Sequence, residues 1–386
     1  MNRKIAVLGV GAIGSSIGAD LTQAGLDVTL IDQWPAHVKA MKTNGLKVQF
    51  RDSQFQVPVK ALNLCDLAAA GDLAFDLVFL AAKSNDHRWL AEFIKPRLKA
   101  DGVLVGAQNG MNDDSIAEIL GRERVIGCVV ELQAELFTPG QIQRNTTRKG
   151  SWFTVGELDG WLTPRVKEVA ATLGKVGRCD VTNNIYGAKW TKLIANTMTM
   201  GPFSLLGLRN NEAAALPGMF DISVKLGRES LAVGGALGYR TEPIFGLRAD
   251  EFAGSSDENL VTTMKTLLSH VGGGRTAPIH DHLKGRESEI GFISGVVSCK
   301  GRELGIATPA NDAVVAIDRR INAGELEMNA SNYALLQAQI AAAAAACGGD
   351  GRATIARLQA VQGTDRPRAG IFCHTAIPLS RRTTRS

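Results

Sequence analysis

Two hydrophobic periods divide the chain. KIAVL at 4–8 is a continuous apolar run of strand length, and 13–24 repeats apolar positions at helical spacing up to Gly25, a natural helix stop. DVTLI at 27–31, FDLVFLA at 75–81, VLVGA at 103–107 and VIGCVV at 125–130 read as further buried strands with helical patterns between them. Strands alternating with helices predict a mostly parallel sheet. GQIQR and SWFTVGE predict a more antiparallel section after it. From about 184 the strand signal stops, and 186–200, 214–238, 256–270, 287–304 and 308–323 show helical periodicity. The pattern therefore predicts an α/β unit over 1–183 and a helical unit over 184–334, with the boundary near DVTNN at 180–184. Residues 335–386 read as a low-complexity basic extension, partly helical at most and otherwise disordered.

Composition agrees with this picture. At 386 residues, with 45% hydrophobic and 21% charged positions, the chain can bury two cores. No uninterrupted apolar run is long enough for a membrane span, the alanine tract near the end aside, and the amino terminus lacks the long apolar core of a signal peptide. Six cysteines stand singly with no CxxC pair, which predicts free thiols in a reducing, cytoplasmic setting. The formal charge of +5 is misleading: residues 351–386 carry seven arginines against one aspartate and account for all of it. The rest of the chain has no basic stripe for nucleic acid.

The chemistry begins at GVGAIG, residues 9–14, which follows a predicted strand and opens a predicted helix. In that context the spacing is a dinucleotide fingerprint. Gly9 makes the turn, Gly11 admits the pyrophosphate and Gly14 lets helix and sheet approach, while Ala12 and Ile13 begin the helix whose free N–H groups face the phosphates. The next strand ends in Asp32, eighteen residues after Gly14, where a carboxylate accepts ribose hydroxyls and repels a 2′-phosphate. Gln33 and Trp34 follow in place of an arginine. NAD is thereby favoured over NADP, although Lys39 and Lys42 keep NADP open. Lys83 and Asn109 end two central strands, the edge where such sheets bind ligands. Taken alone, Lys83 is as well explained as a surface lysine and Asn109–Gly110 as a turn. In KWTKLIANTMTM, Lys192 and Asn196 share a helix face that Met200 continues. An ammonium there can stabilise the charge developing on a ketone oxygen during hydride transfer and supply its proton.

Several separate blocks together resemble the ketopantoate reductase (2-dehydropantoate 2-reductase) family over residues 4–325. They are KIAVLGVGAIGS, the lysine of FLAAKS, QNG at 108–110, the lysine and asparagine of KWTKLIAN, GRESEIGFISG, and GRELGIATPAN at 301–311. The resemblance implies a Rossmann domain followed by an all-helical, 6-phosphogluconate-dehydrogenase-like C-terminal domain with the active site between them. It implies a nicotinamide cofactor, often NADPH, and reduction of a small 2-keto acid, with a homodimer through the helical domain also open. The family's catalytic lysine falls on Lys192, its helix asparagine on Asn196, the glutamate that grips the substrate hydroxyl on Glu289, and the amino-domain pair on Lys83 and Asn109.

The departures lie on the substrate side. A second family asparagine has become Met200, which is apolar and adaptable. A serine pair has become Thr276–Ala277, with Arg275 beside it as a candidate carboxylate contact. These changes point to a second reading, a dehydrogenase of a different, less polar hydroxy acid or alcohol. A non-catalytic dinucleotide sensor is a remote third. His270, His280 and His282 cluster nearby, but a metal site needs three convergent ligands, and no metal is expected. Glu131 and Glu135 follow a strand and suit either the cleft or a polar loop.

Overall fold

A computed structural model describes residues 3–244, 257–271 and 273–347. Twelve strands are described: β1 (Ile5–Leu8), β2 (Val28–Asp32), β3 (Leu46–Gln49), β4 (Gln54–Val57), β5 (Lys60–Asn63), β6 (Phe75–Leu80), β7 (Leu98–Gly106), β8 (Val125–Glu131), β9 (Ala134–Thr138), β10 (Gln141–Arg144), β11 (Trp152–Glu157) and β12 (Arg178–Val181). Eight form one sheet in the order β12-β11-β8-β7-β6-β1-β2-β5. Every pair in it is parallel except β8–β11. β1, β2 and β6 are apolar almost throughout because helices cover both faces, as parallel sheets require. β1 connects onward to β2 on one side and lies against β6 on the other. This is the switch point where such sheets open a crevice at their carboxyl ends.

The remaining strands form a second sheet in the order β4-β3-β10-β9. The QIQR and WFTVGE segments are strands as expected, but they belong to different sheets. Arg144 fastens the small sheet to the Ala12–Gln23 helix. Its fully buried guanidinium pairs with buried Asp20 and donates to Ser151 Oγ (2.9 Å) and the Val176 carbonyl (3.0 Å).

The second half is helical. Its central element, Ile185–Ser204, is capped by Asn184, whose side chain accepts from Gly187 N. Trp190 on this helix donates to the Ser230 carbonyl (2.9 Å), and it packs so closely on the Met219–Ala236 helix that a Cβ at Gly234 would meet its ring at 1.9 Å. The expected 287–304 helix is interrupted: a short 3-10 turn, Glu289–Phe292, precedes the helix Ser294–Leu304.

Two expectations change. The extension expected from 335 begins inside a helix, Asn332–Cys347, whose Leu336 and Ile340 are buried and whose Tyr333 donates to the Pro217 carbonyl at 2.6 Å. Residues 348–386, where disorder was expected, lie outside the described residues. Cys299 is disulfide-bonded, while Cys65, Cys128 and Cys179 are free thiols, so the all-thiol expectation fails at Cys299. Spacing could not reveal this pairing, because a bridge depends on which side chains packing brings together. Among the described residues no helix is long and apolar enough to cross a membrane.

Candidate active site

The glycine loop turns at Gly9, where φ is +84° and a Cβ would sit 2.5 Å from the Ala82 backbone. Both facts demand glycine there. A Cβ on Gly14 would lie 2.2 Å from the Gly9 carbonyl oxygen, so the Ala12–Gln23 helix reaches the sheet only without a side chain at that position. A Cβ at Gly11 would meet nothing within 4 Å. The open space lies beside the helix's first turn, whose N–H groups lack helical acceptors. This is a cradle for a phosphate-bearing cofactor, and the residues present fit a dinucleotide.

Asp32, at the end of β2, is buried beside that cradle. Its two carboxylate oxygens accept from Val10 N (2.6 Å) and Trp34 N (2.8 Å), which ties the loop to the strand end. Each oxygen keeps a second lone pair for a ribose hydroxyl. Beneath, His37 is fully buried. Its Nδ1 accepts from Gly140 N (2.9 Å), leaving Nε2 to donate to Ser15 Oγ (3.2 Å), and burial holds its pKa below the usual histidine value.

The crevice is closed from above by the helical half, making a cleft of about 570 Å³. Several cross-links span it. Lys83, following β6, donates to Glu289 (2.8 Å) and Asp281 (2.9 Å). Glu289 also accepts from the N–H and hydroxyl of Ser84, both at 2.9 Å. Burial works against the charge on Lys83, but the two carboxylates reverse it and hold the ammonium above its ordinary range. Burial likewise opposes the Glu289 carboxylate, and Lys83 with Ser84 brings its pKa below normal. For Asp281 burial wins, pushing the carboxyl up to about 6 although Lys83 pulls the other way. Lys192 forms a short ion pair with Glu131 at the end of β8, each side chain 16% exposed. Asn196 donates to Asn109 Oδ1 at 3.2 Å. Deeper in the interface, buried Lys189 and Asp113 meet at 2.6 Å.

Models of one family cover most of the chain. The model described as ketopantoate reductase PanE/ApbA matches residues 5–160, and its C-terminal counterpart matches 184–322. The chain belongs to the ketopantoate reductase family. Its relatives include the 2-dehydropantoate 2-reductases of Mesorhizobium japonicum (29% identical over 82% of this chain and 97% of the relative) and Archaeoglobus fulgidus (25%, over 83% and 99%). Among solved structures it is similar to a PanE/ApbA family ketopantoate reductase from Ralstonia eutropha JMP134 (26% identity, TM-score 0.70, 83% and 99% of the two chains). The fold is also that of D-mandelate dehydrogenase with NADH and anilino(oxo)acetate (22%, TM-score 0.73, 83% and 99%). This ketopantoate reductase family member is an NAD(P)-dependent oxidoreductase acting on CH–OH groups.

Within this reductase fold the sequence-selected residues separate cleanly. Gly9, Gly11, Ala12, Ile13, Asp32, Lys83, Asn109, Lys192, Asn196 and Glu289 all line the cleft, and Gly14 packs behind it. Met200, Arg275, Thr276, Ala277, His280 and Glu131 line it too. Lys42 instead pairs with Asp66 at 2.6 Å, and Lys39 is exposed away from the cleft. The histidines diverge. His282 faces Asp318 (3.1 Å), His280 faces the cleft, and the side chain of His270 lies outside the described residues. Among the described residues no group of three could hold a metal.

Sequence reasoning gave no role to Asp281, Gln108 or Phe137, all of which line the cleft. Asp281 stood between two histidines that drew the attention, and only the fold shows it reaching Lys83. Phe137, on β9, meets His280 edge-on (5.5 Å) and lies under the Lys284 ammonium (4.8 Å). Burial pushes His280 down to about 4, with Glu135 opposing and Lys83, Lys284 and Arg275 adding to the shift. It is therefore a neutral imidazole at ordinary pH.

Proposed function

We propose that the protein reduces 2-dehydropantoate to (R)-pantoate at this cleft. The observation that carries the reading is the convergence of Lys192, Asn196 and Asn109 on the cavity that also holds the glycine cradle. When bound, a nicotinamide cofactor supplies the hydride. The glycine loop and helix N-terminus hold its phosphates, and Asp32 takes the ribose hydroxyls. Lys192 presents an N–H to the substrate carbonyl oxygen, stabilises the charge that develops there, and releases a proton to it. Asn196 and Asn109 brace each other and orient the same oxygen. Glu289 was expected to grip the substrate hydroxyl. It lines the cleft with Oε1 taken by the N–H and hydroxyl of Ser84 and Oε2 by Lys83, and retains one lone pair on Oε2 for that contact. Asp32 favours NADH as the reductant.

A second reading has its own observation. Met200 lines the cleft, and Ala277 brings no hydroxyl to it. Both favour a 2-keto acid or hydroxy acid with a larger apolar substituent, run in either direction. Absorbance of the reduced cofactor decides between them: the protein is mixed with 2-dehydropantoate and NADH or NADPH, then with aryl and branched 2-keto acids. Turnover of 2-dehydropantoate well above the others supports the first reading, and the reverse order supports the second. Absence of turnover with every 2-keto acid and both cofactors defeats both. Self-association through the helical half belongs to this proposal and is read by light scattering. A cytoplasmic location rests on the sequence alone.

A further inference from the structure

Glu131 has no place in the reaction as described so far, yet its carboxylate is the ion-pair partner of the central residue of that reaction. It is the last residue of β8, and its carboxylate is paired with the Lys192 ammonium across the cleft between the two halves. Both side chains are mostly buried, and both line the cavity. Lys192 sits on a helix whose neighbouring residues are buried, but its own side chain has four rotatable bonds and, among the described residues, no other hydrogen-bond partner. Its amine therefore takes its direction from the carboxylate.

We propose that Glu131 is the positioning residue for Lys192 in the reductase reaction. It accepts one of three N–H groups and so aims the remaining two into the cleft. It also balances the ammonium where the cavity already collects Lys83, Arg275 and Lys284. During reduction the substrate carbon gains the hydride, the carbonyl oxygen takes a proton from Lys192 Nζ, and the amine that remains stays on Glu131. Solvent, which still reaches both side chains, restores the proton. Glu131 contributes no proton and touches no reacting atom. The negative charge on β8 further implies that the substrate carboxylate lies at the other end, toward Thr276 and Arg275.

This inference rests on the role of Lys192 given above, so the test measures the two separately. The variants Glu131→Gln, Glu131→Asp and Lys192→Ala, and the Glu131→Gln/Lys192→Ala double variant, are assayed on the 2-keto acid that the wild type reduces, with NADH affinity read by fluorescence. Glu131→Gln should lower kcat by about tenfold to a hundredfold, with KM and NADH Kd within about threefold of wild type. Glu131→Asp should recover part of the loss. In the Lys192→Ala background, Glu131→Gln should add nothing, because its effect passes through the absent amine. Unchanged kcat in Glu131→Gln overturns the inference, as does an equal further loss in the Lys192→Ala background. A variant that loses NADH binding and thermal stability together with kcat marks a structural role and also overturns it. Near-normal turnover by Lys192→Ala defeats the proposed mechanism itself, and the positioning role with it.

Discussion

At the scale of single residues, two side chains carry most of the proposed chemistry. In the proposed reaction Lys192 supplies both charge and proton, so Lys192→Ala should lower kcat by about a thousandfold while NADH Kd moves little. A single-turnover assay alongside a binding titration separates the two, and a variant within tenfold of wild type would rule out the assignment. The role proposed for Asp32 is on the cofactor. Its carboxylate sits in the cleft with two backbone N–H groups fixing its orientation. Asp32→Ala removes ribose acceptors and the charge that repels a 2′-phosphate, so the ratio of NADPH to NADH affinity should rise about tenfold. An unmoved ratio would mean that Asp32 serves only to brace the loop. Residue types in the sequence singled out both positions because each follows a strand or rides a helix at a spacing that chemistry constrains, and both line the cleft. Asp281 escaped notice because its partner, Lys83, is 198 positions away.

The elements differ in how plainly they could be read. The central parallel strands were legible since burial on both faces leaves them continuously apolar, and β1, β6 and β8 begin within a residue of the expected positions, whereas the partly exposed edge strands β5 and β12 were not expected. β3, β4 and β9 were not, being short strands of mixed burial; β4 and β9 each pair only in a local hairpin, while β3 also pairs with β10 across nearly a hundred residues. The helix Ala277–Leu283 was missed for a similar reason, as seven residues give little periodicity. At this scale Gly14 has the sharpest consequence. A methyl group there collides with the Gly9 carbonyl, so Gly14→Ala should push the Ala12–Gln23 helix off the loop. The expected cost is about 1–3 kcal/mol of stability together with a large loss of NADH affinity. Chemical denaturation and a cofactor titration measure the two effects, and wild-type values in both would refute the close-packing account.

For the molecule as a whole, charges at the interface between the halves govern the response to pH. His280 is held neutral in the folded protein with a pKa near 4, against 6.5 in the unfolded chain. As pH falls below about 6.5 the unfolded chain takes up the proton first. Stability attributable to this group is therefore complete above that value, declines through the interval down to about 4, and levels off below it. The total is at most about 3 kcal/mol. Asp281, raised to about 6, acts in the opposite sense over part of the same range. The informative measurement is thus the difference between wild type and His280→Gln in denaturation midpoints from pH 7 to pH 4. The variant's curve should be flatter, and parallel curves would show that His280 is not held neutral.

The sequence by itself determined the dinucleotide fingerprint, the alternation that builds a parallel sheet, the change to helices near 184 and the lysine–asparagine face of Ile185–Ser204. These are local: each depends on a period, a turn or a spacing of a few residues, and backbone geometry translates such patterns directly. Only the tertiary structure decided which charges meet. The partners of Lys83, Lys192 and Asn196 lie 61 to 206 positions away, on the opposite side of the cleft. Whether Glu131 is a loop acid or the partner of the central lysine depends on the docking of two halves, whose buried contacts have no period along the chain.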